Sequence, residues 1–276
     1  MPIYYVDGRF VPAEQAVIPV DDLAILRGVG VFDLVRTFKG KPLFLQEHLA
    51  RLVHSAREIH LEIPWSRKQI AAIVMETLAK NDLPEATIRI VITGGSSRDF
   101  LSPGGHPRLL VLISEQSKPP RSWYEQGVKV ITVELERRLP GAKSIDYLPA
   151  AMAIQRARGK GAVEAIYLNR NRLALEGTTS NLFVFLQEGL VTPGRGVLPG
   201  ITRKVVLDLA ATVYSVQVRD LYYEELIGAR EAFITGTTRG IVPVVQVDEA
   251  TIEQGQPGPD TRRLMAMLDE YLEGLG

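Results

Sequence analysis

Two tight-turn signals near the start of the chain constrain its fold most. Asp7-Gly8 interrupts the apolar run IYYVDGRFVP, and Lys39-Gly40 divides FDLVRTF from PLFL. A two-residue turn with φ > 0 closes a hairpin between antiparallel strands. Hairpin connections predict antiparallel or mixed sheets rather than a parallel, doubly wound one. Leu49, Leu52, Val53, Ala56 and Ile59 recur at helical spacing, which predicts a helix over 46–61 stopped by Pro64. Ile70, Ile73, Val74 and Leu78 predict a second over 67–80. Strands are predicted at 86–93 and 108–114. Beyond the Pro-rich run Lys118-Pro119-Pro120-Arg121, strands are predicted at 128–134, 163–168, 172–176, 182–186 and 232–235, and helices at 149–158, 202–214 and 260–273. The expected architecture is α+β in two domains: a small α/β sandwich-like N-terminal domain over 1–117, a linker at 118–122, and a larger strand-rich domain over 123–276.

Composition removes whole classes of function. With 46% apolar residues the chain can bury a core. Lys+Arg and Asp+Glu balance at 32 each, which argues against nucleic acid or an anionic membrane as partner. There is no cysteine, so disulfides, thiolate metal sites and Cys nucleophiles are excluded. His48, His54 and His60 step by six and do not share a helix face, so no metal site is expected. No apolar stretch is long enough to span a membrane and the N-terminus lacks a signal-peptide core, so a cytoplasmic protein is expected. GxSxG, HExxH and Walker A motifs are absent, and Gly28-Val29-Gly30 is only half of a dinucleotide fingerprint. The remaining chemistry rests on Lys, Arg, Glu, Asp, Tyr, Thr and backbone amides.

Four segments concentrate such groups. Lys143 stands in the short loop LPGAKSIDYLP, between a predicted strand and helix. Glu176 ends a strand before the hydroxyl-rich turn of LEGTTSNLF. Leu198-Pro199-Gly200-Ile201-Thr202-Arg203 opens a helix, whose free N–H groups with the Thr202 hydroxyl suit a phosphate. Thr235-Gly236-Thr237-Thr238-Arg239-Gly240 offers a second such turn.

With GVGVFDLVRTF and EHLARLVHSA, these segments resemble the class IV aminotransferases. These are fold-type-IV pyridoxal-phosphate enzymes that include D-amino-acid and branched-chain aminotransferases and aminodeoxychorismate lyase. The resemblance spans nearly the whole chain and implies a homodimer with shared sites. By its motifs Lys143 matches the lysine that bonds to pyridoxal 5′-phosphate and shuttles the proton, and Glu176 the acid at the pyridine nitrogen. Arg51, Gly200, Ile201, Thr202, Thr237 and Thr238 match phosphate-binding positions, with Thr238 also serving the substrate carboxylate. Leu198 matches the apolar residue against the ring, and Tyr147 a tyrosine beside the cofactor oxygen. The chain departs from the family at Asp146, where Asn is usual, and at Arg239-Gly240.

Helical periodicity points Arg51 away from its apolar stripe, toward solvent or toward a phosphate. Arg89, flanked by Ile88 and Ile90 in a strand, would be costly to bury without an anion. Arg27, Arg89 and Arg98 are read either as surface ion pairs or as forks for a substrate carboxylate, and the Gly94–Phe100 loop with Arg98 is expected to reach a neighbouring subunit. The favoured reaction is amino transfer between a D-amino acid and a 2-oxo acid. An L-branched-chain enzyme is the alternative, for which Phe32, Phe38 and Tyr147 could line an apolar pocket, as are the lyase and a homologue without activity.

Overall fold

A computed structural model describes residues 1–252 and 254–275. The chain divides into two compact units, one of Met1–Ser117 with Gly141–Tyr147, the other of Lys118–Pro140 with Leu148–Leu275. The segment bearing Lys143 therefore belongs to the first unit, which corrects its expected place in the 123–276 domain. Glu253 and Gly276, within that expected range, lie outside the described residues.

The first unit runs β1 (Ile3–Val6), β2 (Arg9–Pro12), α1 (Leu23–Arg27), β3 (Gly30–Phe38), β4 (Lys41–Pro42), α2 (Leu45–Glu58), α3 (Arg67–Ala79), β5 (Ala86–Thr93) and β6 (Arg108–Glu115). Its six-stranded sheet has the order β2-β1-β6-β5-β3-β4, and every pairing is antiparallel. Both hairpin turns are made by left-handed residue pairs, Asp7-Gly8 and Lys39-Gly40. The second hairpin is shorter than PLFL predicts, because Phe44 adopts φ 52° and turns the chain into α2. That helix ends at Glu58, well before Pro64. Left-handed His60 reverses the chain, and Leu61 N–H donates to the Ala56 carbonyl in a C-terminal cap. Alternation on β5 sends Ile88, Ile90 and Ile92 into a core with Leu49, Leu52 and Ala56 of α2 and Ile70 and Val74 of α3.

The second unit runs α4 (Ser122–Glu125), β7 (Val128–Glu134), α5 (Leu148–Gly159), β8 (Glu164–Leu168), β9 (Ala174–Gly177), β10 (Asn181–Leu186), β11 (Gly189–Pro193), α6 (Ile201–Ala210), β12 (Val216–Arg219), α7 (Tyr223–Ile227), β13 (Glu231–Gly236), β14 (Gly240–Val247), β15 (Ala250–Thr251) and α8 (Pro259–Glu273). Its sheet is mixed: β7 pairs parallel with β8 and β14, and β11 with β12. The central hairpins β10–β11 and β13–β14 are antiparallel. Helix α6 stops at Ala210 rather than 214; Thr212 Oγ donates back to the Leu209 carbonyl as the helix unwinds. Among the described residues no helix is long and apolar enough to cross a membrane.

Neighbouring residues on β5 face opposite ways, so their substitutions separate. Ile90→Ala should cost about 3 kcal/mol in urea denaturation through a core cavity, whereas Arg89→Ala, at an exposed position, should stay within about 0.5 kcal/mol. Equal losses would contradict this packing.

Candidate active site

The lysine segment is zipped onto β3. Phe32 N–H donates to the Lys143 carbonyl at 3.0 Å, and Ile145 N–H to the Gly30 carbonyl at 3.0 Å. Glycine is required at position 30 by this close approach: an added Cβ would lie 2.7 Å from the Ile92 oxygen and 2.8 Å from Ile145 Cδ1. Lys143 N–H donates to Ser55 Oγ at 3.0 Å. The Lys143 Nζ lies 4.7 Å from the centroid of the Phe32 ring. Tyr147 meets the same ring edge-on at 5.3 Å, and the Arg89 guanidinium carbon lies 5.6 Å from it. Phe32, Arg89, Lys143 and Tyr147 are thus together. Arg89 is exposed, so the cost of burial does not bear on it. Phe38 lies at the far end of β3, six residues or about 20 Å from Phe32, and so the structure does not join it to Tyr147 as one pocket wall.

Beneath this cluster sits a buried charged triad. Asp33, fully buried on β3, accepts from Arg51 Nε at 2.9 Å and Nη2 at 2.8 Å and pairs with His48 Nδ1 at 2.7 Å. Arg51 is therefore buried and held by a carboxylate, not solvated as its periodicity allows. Burial alone would raise the Asp33 pKa, but the Arg51 charge and the hydrogen bonds from His48 and Arg51 outweigh it and hold the carboxyl well below the usual range. Burial lowers His48, with Asp33 opposing. Sequence reasoning passed over Asp33, His48 and Ser55. The signal was an acid between Phe32 and Leu34 in an apolar strand, facing a helix with His48, Arg51 and Ser55 at steps of three and four.

In the second unit Glu176 is 4% exposed. One oxygen accepts from Arg137 Nε at 2.9 Å and pairs with Nη2 at 2.7 Å. The other accepts from Leu198 N–H at 2.9 Å and Asn181 Nδ2 at 3.3 Å. Arg137 and Asn181 are further residues the sequence reading missed. Asn181 also donates to the Leu198 carbonyl at 2.9 Å, and a Cβ at Gly200 would fall 1.9 Å from its Oδ1. Glycine at this position lets α6 begin against Asn181. No side chain caps that helix, so its first N–H groups, at Ile201 and Thr202, form an electropositive end. Burial lowers the Arg203 pKa, with Glu176 opposing.

Hydroxyls of the β9–β10 turn point inward, to a buried carboxylate. Fully buried Glu164 accepts from Thr178 and Thr179 at both N–H and hydroxyl, and from Ser180 Oγ at 3.1 Å. Arg239 completes the cluster, with Nη1 3.3 Å from Glu164 and Nη2 donating to Thr179 Oγ1 at 2.8 Å. This accounts for the departure at Arg239: it ties the turn bearing half-buried Thr237 and Thr238 to the β9–β10 turn. Arg27 and Arg98 are exposed. The Arg98 loop is fixed at its base, where Asp22 accepts from Thr93 Oγ1 and Arg108 Nη1, each at 2.8 Å. Asp146 is exposed. Among the described residues no group of His, Asp and Glu could hold a metal ion.

Residues 30–247 match the family model for amino-transferase class IV. The chain belongs to the class IV aminotransferases. A putative branched-chain-amino-acid aminotransferase of Methanocaldococcus jannaschii is 35% identical, over 94% of this chain and 93% of the relative. The D-alanine aminotransferase of Bacillus licheniformis is 30% identical, over 96% of this chain and 95% of the relative. Among solved structures, the T.th. branched-chain amino acid aminotransferase with pyridoxamine 5'-phosphate superposes with a TM-score of 0.92 at 28% identity, over 99% of this chain and 94% of that one.

The triad of this aminotransferase gives its stability an acid dependence. Because the folded state lowers the His48 pKa from 6.5, the unfolded chain takes up a proton there that the folded chain refuses. Stability therefore falls as pH drops below about 6.5. In denaturant titrations between pH 7 and about pH 5, His48→Gln should show a shallower loss than the parent. Parallel losses would contradict the assignment.

Proposed function

We propose that this class IV aminotransferase moves an amino group between a D-amino acid and a 2-oxo acid, with pyridoxal 5′-phosphate as cofactor. Pyridoxal-phosphate-dependent transamination follows from the family. The residues fit the cofactor by the chemistry of their donors. They offer a half-buried amine, a carboxylate held at both oxygens, an uncapped helix N-terminus and paired threonines. When bound, the cofactor supplies an electron sink for charge developing at the substrate α-carbon.

Lys143 Nζ holds the cofactor and moves the proton at the α-carbon. Glu176 serves the pyridine nitrogen, its carboxylate aimed by Arg137, Asn181 and the Leu198 N–H. Arg51, Gly200, Ile201, Thr202, Thr237 and Thr238 bind phosphate, a role that needs donors and no chemistry. Leu198 packs on the ring, and Tyr147 serves the ring oxygen. Arg27, Arg89 and Arg98, with Thr238, take the substrate carboxylate, and Phe32 excludes water beside it.

The observation that carries the substrate reading is the Phe32 ring flanked by Lys143 Nζ at 4.7 Å and the Arg89 guanidinium at 5.6 Å. Arg89 and the amine thus border the same ring, and Arg89 offers the fork for a carboxylate. Arg27, ending α1 just before β3, is exposed and carries the same charge. The arginine-bearing pairing of LRGVGVFD with IRIVITGG favours the D-amino-acid branch. The branched-chain reading draws on the Methanocaldococcus relative at 35% identity and on the apolar contact of Phe32 with Tyr147. The protein works as a cytoplasmic homodimer in this reading. Phe100 and Leu101, exposed beside Arg98, are apolar surface that a second copy would cover.

The test is the visible band of the purified holoenzyme during separate additions of D-alanine and L-leucine without any oxo acid. Bleaching by D-alanine alone is expected. Bleaching by L-leucine alone would make it a branched-chain enzyme, and indifference to both, with pyruvate released from aminodeoxychorismate, a lyase. Lys143→Ala should lose the band and about 10³-fold or more in turnover.

A further inference from the structure

Ser55 has no part in the chemistry above, yet it joins two of its elements. It lies on α2 one turn after Arg51 and is fully buried. Its hydroxyl donates to the Arg51 carbonyl at 2.8 Å and accepts from Lys143 N–H at 3.0 Å. A mid-helix serine bonded back to residue i−4 slightly destabilises its helix, and alanine has the higher helix propensity. The hydroxyl thus does nothing for α2 that alanine would not do better. What it adds is an acceptor for the lysine's own peptide.

The Lys143 carbonyl is held as well, by Phe32 N–H at 3.0 Å. Both main-chain polar groups of the lysine residue are therefore fixed, one by a helix and one by a strand. Fixing both peptide planes fixes the Cα–Cβ direction, from which the side chain starts toward the Phe32 ring. The carbonyl that Ser55 engages belongs to Arg51, whose guanidinium Asp33 orients. One hydroxyl sets the spacing between the amine and the arginine.

We infer that Ser55 is a positioning residue for amino transfer, aiming Lys143 by holding its backbone N–H in register with Arg51. The inference rests on Lys143 being the amine that bonds to the cofactor. Misplacement of a reacting group by about 1 Å can cost 10²-fold in rate, so loss of this one hydrogen bond should be visible in turnover.

The experiment compares full-length, cofactor-loaded Ser55→Ala and Ser55→Thr with the parent by visible circular dichroism and steady-state kinetics. The dichroism per bound cofactor reports how the lysine presents the chromophore, which mere loss of stability does not alter. Ser55→Ala is expected to change that signal and to lower kcat about 10- to 100-fold with KM held within about twofold. Ser55→Thr, which keeps the hydroxyl, should restore both. A Ser55→Ala enzyme with parental dichroism and kcat overturns the inference. So does equal impairment of both variants, which would mark a packing effect. If Ser55→Ala does not fold, Ser55→Cys decides, because a thiol keeps the bulk and hydrogen-bonds weakly; parental dichroism there would overturn the inference. Lys143→Ala is the separate control: a borohydride-reducible bond between cofactor and chain surviving in it refutes the assignment of Lys143 and leaves that of Ser55 without its premise.

Discussion

Backbone pairing of the Lys143 segment with β3 is the constraint on which the rest of the first unit's site depends. A lysine side chain carries about 2 kcal/mol of rotamer freedom, and a loop adds the freedom of its own backbone. Here the loop is converted into a short strand-like bridge, Val31 opposite Ser144. Gly30 permits the approach, since any side chain would strike Ile92 or Ile145. The core beneath is built from the other face of the same sheet, with Ile88, Ile90 and Ile92 sealed against α2 and α3. The lysine proposed to hold the cofactor is thereby rooted in a strand that backs onto the buried core of its unit.

Buried carboxylates play the corresponding part within each unit. Asp33 orients Arg51 and His48, while Glu176 is gripped by Arg137, Asn181 and a backbone N–H. Glu164 gathers the hydroxyls of one turn and the arginine of another. A buried anion is expensive unless paired and hydrogen-bonded. Each of these is satisfied by several donors at once. The cost of burial thus becomes geometric specificity, and the hydroxyls of the turn after Glu176 are partners of Glu164.

Local signals made much of this legible. The Asp7-Gly8 and Lys39-Gly40 turns, the isoleucine alternation of β5 and the stripe of α2 are short-range features, and the elements they predict are present. Strands β11, β12 and β14 were not legible: Gly189 and Pro193 bound β11 and Pro243 interrupts β14, although both close hairpins with the strand before them, and only the short β12 finds its parallel partner, β11, across an intervening helix. The four chemical segments stood out through their small and charged residues. Asp33, Ser55, Arg137 and Glu164 did not, since each matters through a partner 18 to 88 residues away. The place of Lys143 in the first unit had the same origin: long-range pairing to β3 overrode its position after the Pro-rich run.

Covalent capture tests the central claim most directly. The holoenzyme would be reduced with borohydride, digested and mapped by mass spectrometry. A pyridoxyl adduct on the peptide containing Lys143, at that residue, is the predicted result. An adduct on a different lysine, or none on a protein that carries the cofactor, would contradict the account.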